Sequence, residues 1–304
     1  MAISRAQLVK ELEPGLNALF GLEYKRYENQ HAEIYTTESS DRAFEEEVML
    51  SGFANAQVKV EGSGVSFDQA QETYTARYTH DTIALAFAIT EEAIEDNLYD
   101  RIASRYTKAL ARSMSNAKQV KAAKPLNDGL PSVDNFDSGD GVSLFNTAHT
   151  TVSGTNVKNT LTTQADLNET SLEQAMIDIA AMTDERGLRV AARAMKMIIP
   201  SANQFTAERL MKSQGRTGTA DNDINAVVSM GMVPQGYRVN NYLTDTDSWY
   251  ITTDVPNGMK HFERAPLSTK MEGDFDTGNV RYKARERYVF GVSDPRGIYG
   301  VEGA

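Results

Sequence analysis

The longest uninterrupted helical pattern in the chain occupies residues 90–124 and reads TEEAIEDNLYDRIASRYTKALARSMSNAKQVKAAK. Thr90 is a residue type that caps helices, and acidic residues follow it in the first turn. Apolar residues then recur at a nearly constant step of four, which predicts one buried stripe. The stripe comprises Ile94, Leu98, Ile102, Tyr106, Leu110, Met114 and Ala117. Because glycine and proline are absent until Pro125, we predict a helix over about 91–122, roughly 48 Å long, against which a sheet can pack.

The segment before this helix is rich in residue types that favour β-strands. Residues 57–61 and 74–78 alternate in side-chain character, and Gly62-Ser63-Gly64 between them is a flexible turn signal. We therefore predict a long two-stranded excursion within residues 48–89. Such a hairpin is marginally stable alone in water, so it needs a surface to lie on, and a partner subunit would serve. The first 30 residues or so predict either a helix that is interrupted at Pro14 and Gly15 or a docked arm.

The part of the chain after the long helix predicts a compact mixed domain over residues 170–253. An irregular connection over 125–169 leads into it, and Thr170 is predicted to cap its first helix. A further helix is predicted over 201–213 and a mobile loop over 214–223. Short apolar or β-branched runs predict strands at 195–200, 227–233, 237–242 and 249–253.

The chain closes on a long alternating strand over residues 278–292, one side of which is basic. The basic residues are Arg281, Lys283, Arg285 and Arg287. Its partner strand is predicted over 261–271, with a turn at 272–274. Three interpretations of the basic side stay open: a solvated or locally ion-paired face, a contact with acidic residues of a second subunit, or a contact with DNA. The run Glu45-Glu46-Glu47 supplies candidate acidic partners.

Composition places the chain among ordinary globular proteins. It has 304 residues, of which 40% are hydrophobic and 24% charged, enough for one large or two modest domains. Its longest apolar runs are far shorter than the ~20 residues that cross a bilayer. The opening residues MAISRAQLVKELEPG lack the apolar core of a signal peptide. We therefore expect a protein that is made and kept in a cytoplasm, without a membrane partner.

The residue types that carry catalysis are sparse or scattered. Cysteine is absent, which removes disulfides, thiolate metal sites and cysteine nucleophiles. The four histidines are not spaced as metal ligands, and neither a phosphate-binding loop nor a nucleophile elbow is present. The net charge of −11 opposes general binding to nucleic acid, although plain solubility explains it equally. The sequence predicts no enzyme, no cofactor and no metal site.

Three segments, taken in their order, resemble the major capsid proteins of tailed bacteriophages, which share the HK-ninety-seven-type coat fold. The segment FAITEEAIEDNLYDRIASRYTKALARSM (87–114) resembles the entry to that family's spine helix. The segment GDGVSLFNTAHTTVSGTNVKN (139–159) is similar to a loop of the Mu-like major head subunit branch. The segment VRYKARERYVFGVSDPRGIYG (280–300) resembles the last peripheral strand and its return.

The resemblance implies an α+β coat fold with four parts. These are an N-terminal arm (1–47), an extended β-hairpin E-loop (48–88), a peripheral domain with the long spine helix (89–164 and 256–292) and a mixed α/β axial domain (165–255 and 293–304). The implied E-loop contacts with a neighbouring subunit are Phe53, Val58, Val60, Phe67 and Tyr74. The alternative for these five residues is the subunit's own core. Arg281, Lys283, Arg285 and Arg287 would contact other subunits at three-fold junctions.

The implied function is assembly. Copies of the chain would form the hexamers and pentamers of an icosahedral head that encloses double-stranded DNA without sequence-specific binding. Scaffold, portal and decoration proteins are the implied further partners, with assembly in the host cytoplasm and a final place in the virion. Two alternatives stay open: the shell of an encapsulin-like compartment, and a phage tail-tube protein, which would be all-β.

Overall fold

The computed structural model describes residues 5–90, 92–93, 99–215, 223–274 and 278–304. Five α-helices lie in these ranges: α1 Arg5–Arg26, α2 Tyr99–Asp128, α3 Glu169–Ala181, α4 Gln204–Lys212 and α5 Ala226–Ser229. The strands are β1 Thr36–Ser39, β2 Phe44–Leu50, β3 Glu72–Thr79, β4 Asp81–Ile89, β5 His149–Thr150, β6 Asn156–Val157, β7 Ala194–Ile199, β8 Tyr237–Val239, β9 Trp249–Thr253, β10 Met259–Gly273, β11 Val280–Val292 and β12 Ile298–Val301. The predicted α+β class is confirmed.

The first sheet is built around the long closing strand and has the order β1-β10-β11-β4. β11 is antiparallel to both β10 and β4, and β1 joins β10 in parallel. Its side chains alternate as predicted, so Tyr282 is buried and Lys283 is exposed. The buried side is covered by helices, because Ala111 and Met114 of α2 and Phe20 of α1 share one core with Tyr282. α2 is therefore the spine of this layer.

The second sheet has the order β12-β9-β7-β8 and its own core. Trp249 of β9 is fully buried and packs in one cluster with Leu172 and Ile179 of α3 and Leu210 of α4. A further cluster joins the two sheets, since Tyr250 of β9 lies in it together with residues of α2 and β11. None of the helices in the described ranges combines the length and hydropathy that a bilayer crossing requires.

α2 differs from the predicted helix at its end. The helix continues through Pro125 to Asp128, although proline lacks the N–H group of a helical hydrogen bond and costs about 3 kcal/mol inside a helix. Leu126 and Leu130 are almost completely buried just beyond it. Burial of two leucines stabilises by about 3–6 kcal/mol, which outweighs the cost of the proline. Ile94 and Leu98, and the side chain of Ile102, lie outside the described residues.

Other sequence predictions of local structure need correction. α1 continues through Pro14, so the predicted interruption is wrong. The cap of α3 is Asn168 and not Thr170, because the Asn168 side chain accepts a hydrogen bond from the Ser171 N–H at 2.9 Å. Residues 227–233 form α5 and a turn instead of a strand, since the Asn225 side chain caps the N–H of Val227 at 3.1 Å.

Most of the remaining predicted elements are confirmed. β7 and β9 match the predicted strands at 195–200 and 249–253, and α4 lies in the predicted helix over 201–213. β10 extends the predicted partner of the closing strand at both ends, and β8 covers only the first half of 237–242. Part of the predicted loop at 214–223 lies outside the described residues. The predicted turn at 272–274 is placed too early, because β10 continues through Gly273, which pairs with Val280.

The crossing of two backbones at the junction of the sheets gives a first prediction. A Cβ atom at Gly297 would overlap the backbone of Gly258. Backbone atoms cannot move aside as a side chain can, so we expect Gly297→Ala to lower the free energy of unfolding by about 1–3 kcal/mol. Gly21→Ala is the control, because nothing lies within 4 Å of its Cβ position in α1, and it should be stabilising by about 0.5–1 kcal/mol. Urea unfolding of the two variants measures this difference. Equal losses of unfolding free energy in both variants would contradict the prediction.

Candidate assembly surfaces

The hairpin predicted as the E-loop is regular only at its base. β2 pairs with β3 from Phe44 and Thr79 to Leu50 and Glu72. The predicted strand at 57–61 does not form, because residues 51–71, here called the distal segment, have no ladder partner in the subunit. The distal segment is closed at its root by a hydrogen bond from the Ser51 N–H to the Gln71 carbonyl at 2.9 Å. β4, the last part of the predicted excursion, pairs with β11 in the first sheet instead.

The distal segment exposes large apolar side chains along its length. Val58 is 93% exposed and Phe67 is 97% exposed, and Phe53 and Val60 also face solvent. Val65 is exposed in the same way and was not among the predicted contact residues, although its place next to the glycine turn could have suggested it. Apolar side chains that are concentrated in one projecting segment are typical of a surface that another molecule covers.

Tyr74 behaves differently from the other four predicted contact residues. It lies in β3 and is half-buried, and its hydroxyl donates a hydrogen bond to the Ser293 carbonyl at 3.3 Å. A Cβ atom on Gly139 would overlap the Tyr74 ring, so the ring fills space that only glycine leaves free. Burial raises the pKa of Tyr74 above its ordinary value. Within the subunit, Tyr74 therefore anchors the hairpin to the 139–159 loop and to the end of β11.

A chain of polar contacts fixes the base of the hairpin to the first sheet. The Tyr78 hydroxyl bonds the Ser293 side chain, and Ser293 in turn bonds Glu47 of β2. Glu47 also pairs with Lys260 of β10. Burial opposes the charge of Lys260, but its bonds to Glu47 and Glu38 raise the pKa of this amine above the ordinary value. The base of the hairpin is therefore held to the first sheet through both of its strands.

The basic side of β11 faces away from the spine helix. Lys283 and Arg285 are exposed, and Arg287 is partly buried. The β4 residues opposite them are small: Ala86, Ala84 and Thr82. The long basic side chains therefore extend beyond their short neighbours on β4, which leaves them accessible to a partner.

One end of this basic face has a contact within the subunit, and so do its proposed acidic partners. Arg281 pairs with Asp274 at 2.5 Å. Glu46 pairs with Arg77 at 3.7 Å, and Glu45 accepts a hydrogen bond from Ser40 at 2.7 Å. A contact between this acidic run and the basic face of another subunit would have to compete with these bonds. The three interpretations of the basic face stay predictions.

A buried ionic cluster joins the segment between β11 and β12 to the loop between α3 and β7. Arg296 is 6% exposed and donates to Asp294 at 2.8 Å through its Nε atom. Its other nitrogens reach Glu185 at 3.4 Å and the Thr183 carbonyl at 3.1 Å. Burial raises the pKa of Glu185, although the positive charge of Arg296 opposes that rise. This cluster was not found from the sequence.

The polar residues of the 139–159 loop are structural. His149 Nδ1 lies 2.6 Å from an Asp140 oxygen, and its Nε2 lies 3.1 Å from the Asn159 Oδ1 atom. Asn159 also donates to the Leu144 carbonyl at 2.7 Å. The cavity beside this network has a volume of about 10 Å³, which holds one water molecule and no substrate. Within the described ranges, histidine and acidic side chains do not gather in a group of three or more that could hold a metal ion.

Comparison with known proteins identifies the family. A family model described as phage capsid protein matches residues 73–301. This chain belongs to that family. The matched residues of this capsid protein contain the spine helix, the second sheet, the ionic cluster and every strand of the first sheet except β1. The predicted family is therefore confirmed, and with it a structural role as a component of the virion capsid. No curated protein sequence matches the chain.

Solved structures show the same fold at low sequence identity. The virus-like particle of Pyrococcus furiosus is 10% identical with a TM-score of 0.55, and the match covers 94% of this chain and 98% of that one. For Mycobacterium phage Che8 the identity is 15%, the TM-score 0.54 and the coverage 91% and 93%. For the procapsid of bacteriophage JBD30 these values are 14%, 0.52, 99% and 77%. The mixed fold with its helix α2 excludes the all-β tail-tube alternative.

Proposed function

We propose that this capsid protein is the major subunit of a phage head and that it assembles by laying its distal segment on a neighbouring copy. The observation that carries the proposal is the exposure of Val58, Phe67 and their apolar neighbours on a segment whose root is fixed. These side chains have no core of their own to enter. A second copy of the chain would remove them from water, in the way that an extended segment adds to the surface of a partner.

The proposed contact is strong enough to matter in a shell. Burial of one valine or phenylalanine side chain stabilises by about 1.5–3 kcal/mol, before the cost of ordering the segment is subtracted. Each copy both gives and receives one such contact. Closed symmetry repeats the contact around every ring, so a modest pairwise gain becomes a stable assembly.

The rest of the proposed architecture follows the two sheets. The second sheet with α3 and α4 would form the axial domain near the centres of hexamers and pentamers, and the first sheet with α2 would form the peripheral domain. The basic face of β11, with Arg281, Lys283, Arg285 and Arg287, would meet other subunits at three-fold junctions. The closed icosahedral shell would enclose double-stranded DNA, with scaffold, portal and decoration proteins as further partners and assembly in the host cytoplasm.

Substitution of the distal segment tests the proposal. We expect Val58→Ser with Phe67→Ser to reduce shell and ring formation at least tenfold, because the apolar area that the neighbour covers is lost. The free energy of unfolding of the isolated chain should change by less than about 0.5 kcal/mol, since both residues are exposed. Electron microscopy and size-exclusion chromatography measure assembly, if necessary with the neighbouring head proteins present.

Gln57→Ser is the matched control, because Gln57 is an exposed polar neighbour of Val58. It should assemble like the natural chain. Normal assembly of the double variant would show that the distal segment is not the contact. A double variant that unfolds would instead place these residues in a core.

A shell that holds a protein cargo is the second candidate. It is favoured by the likeness to the Pyrococcus furiosus virus-like particle, whose chain is matched over 98% of its length. Particles purified from the native source distinguish the two functions: a phage head contains packaged double-stranded DNA, and a compartment contains a second protein species and little nucleic acid.

A further inference from the structure

The spine helix α2 has a solvent face that is basic in an otherwise acidic chain. Between residues 101 and 127 the sequence has seven basic residues and no acidic one, although the whole chain carries a net charge of −11. Three of the seven form ion pairs within the subunit. These pairs are Lys118 with Glu286, Lys121 with Asp81 and Lys124 with Asp128. These three lysines therefore have a structural role at the C-terminal half of the helix.

Three others form a separate surface. Arg105, Lys108 and Arg112 are exposed, and none of them pairs with an acidic side chain among the described residues. Their spacing of three and four residues places them on one side of the helix. They extend over about 10 Å at 1.5 Å per residue. Phosphates of one DNA strand follow each other at about 3.4 Å along the axis, so about three phosphates occupy the same length.

We propose that this surface, the helix face formed by Arg105, Lys108 and Arg112, contacts the phosphate backbone of the enclosed double-stranded DNA. The inference rests on the proposed function and adds the surface of the subunit that faces the packaged molecule. Contacts to phosphate carry no sequence information, so the helix face suits a shell that must accept any sequence. The negative charge of the remaining chain limits the total attraction and leaves the DNA mobile.

The geometry favours the helix face over the other basic surface of the same domain. α2 packs on the side of β11 that carries Tyr282, whereas Lys283 and Arg285 point away from the helix. The two basic surfaces therefore lie on opposite sides of one helix-and-sheet layer. In register on β10, Glu272 stands beside Arg281, and Asp274 pairs with Arg281. The mixed charge at the Arg281 end of the sheet surface suits a protein contact, while the helix face has one sign of charge and suits a polyanion.

Two variants that remove the same charge test the assignment. The helix variant combines Arg105→Gln, Lys108→Gln and Arg112→Gln, and the sheet variant combines Lys283→Gln, Arg285→Gln and Arg287→Gln. Binding of the unassembled full-length chain to a fluorescent duplex of about 30 base pairs is measured by anisotropy at salt concentrations up to about 150 mM. We expect the helix variant to bind at least tenfold more weakly at low salt. The slope of log K against log salt should fall by about 2.7, which is 0.9 for each of three contacts.

The sheet variant should keep both the affinity and the slope of the natural chain. Equal losses in the two variants would show an effect of net charge alone and overturn the proposal, as would absence of DNA binding by the natural chain. A polyglutamate probe that binds as tightly as DNA, with the same loss in the helix variant, would overturn it in favour of an acidic protein segment. Shell formation by the natural chain, observed by electron microscopy, separates failure of this inference from failure of the proposed function.

Discussion

Arg296→Met is expected to lower the free energy of unfolding by about 3–5 kcal/mol, the usual cost of removing one partner of a buried ion pair. The Arg296 guanidinium lies between Asp294 at 2.8 Å and Glu185 at 3.4 Å, and all three side chains are less than 10% exposed. Without the arginine, two carboxylates remain buried near each other with no positive charge. The hydrogen bond to the Thr183 carbonyl is lost as well. Urea unfolding of the unassembled chain measures the loss.

The loss in the Arg296 variant should depend on pH in one direction. Burial already raises the pKa of Glu185, and removal of the nearby positive charge raises it further. A carboxyl whose folded-state pKa exceeds the unfolded value contributes its full stability at pH below the unfolded value and loses it as pH rises. The deficit relative to the natural chain should therefore be smaller at about pH 5 than at about pH 7.5.

Three comparisons isolate the ionic cluster. Arg296→Lys keeps the charge but not the planar fork and should lose less than Arg296→Met. Arg193→Met removes an exposed arginine and should change stability by less than about 0.5 kcal/mol. The combination of Arg296→Met with Glu185→Gln and Asp294→Asn should recover part of the loss, because it leaves no buried charge. A loss below about 1 kcal/mol for Arg296→Met alone would refute the role of the cluster.

Local periodicity predicted the elements whose burial pattern is one-sided. Met114 falls in the stripe of α2 because a helix repeats every 3.6 residues, and Tyr282 falls on the buried side of β11 because a strand repeats every two. The errors arose where contacts between residues far apart in the sequence determine the secondary structure. Proline rules predict an end at Pro125, but burial of Leu126 against the junction core extends the helix. β-branched residues near Val227 favour a strand, but the Asn225 cap fixes a helical turn.

For the candidate surfaces, the sequence predicted which residue types occur in a segment but not their surroundings in the folded subunit. Alternation identified Val58 and Val60 as apolar residues of one segment, but a strand needs a ladder partner, and the subunit supplies none there. Tyr74 shares the same composition, yet its surroundings come from Gly139 and Ser293, far away in the chain. Arg296 was not found for the same reason, because Glu185 reaches it from another loop. Residues that depend on contacts of high sequence separation leave no local signal.

We expect a buried pair of histidines to make the fold sensitive to acid. The rings of His31 and His261 lie 5.5 Å apart, and His261 stacks on Phe290 at 4.4 Å. Gln119 accepts the His31 backbone N–H through its oxygen at 3.0 Å, so its amide nitrogen donates to His31 Nδ1 at 2.9 Å. That nitrogen must be unprotonated. Burial, followed by the charge of Lys118, lowers the pKa of His31 to about 4 and the pKa of His261 to about 3.

The direction of the pH effect follows from these values. Both folded-state pKa values lie below the unfolded value of about 6.5, so the unfolded chain binds more protons in acid. The two neutral histidines contribute their full share of the free energy of unfolding above about pH 6.5, and this contribution falls as the pH drops toward 4. Each histidine contributes a slope of about 1.36 kcal/mol per pH unit in that window, so from about pH 6.5 to about pH 4.5 the two together cost about 5 kcal/mol. That is a large share of the 5–15 kcal/mol by which domains are stable.

Substitution of both histidines is the test. The double variant His31→Gln with His261→Gln should flatten the fall of unfolding free energy between about pH 6.5 and 4.5, and each single variant should remove about half of it. Met114→Ala is the control, because it creates a cavity under α2 that costs about 2–5 kcal/mol at every pH and keeps both rings, so its slope should match that of the natural chain. Imidazole proton resonances of the folded chain at about pH 5 should report two neutral rings. If the double variant kept the natural slope, the acid sensitivity would come from carboxylates instead.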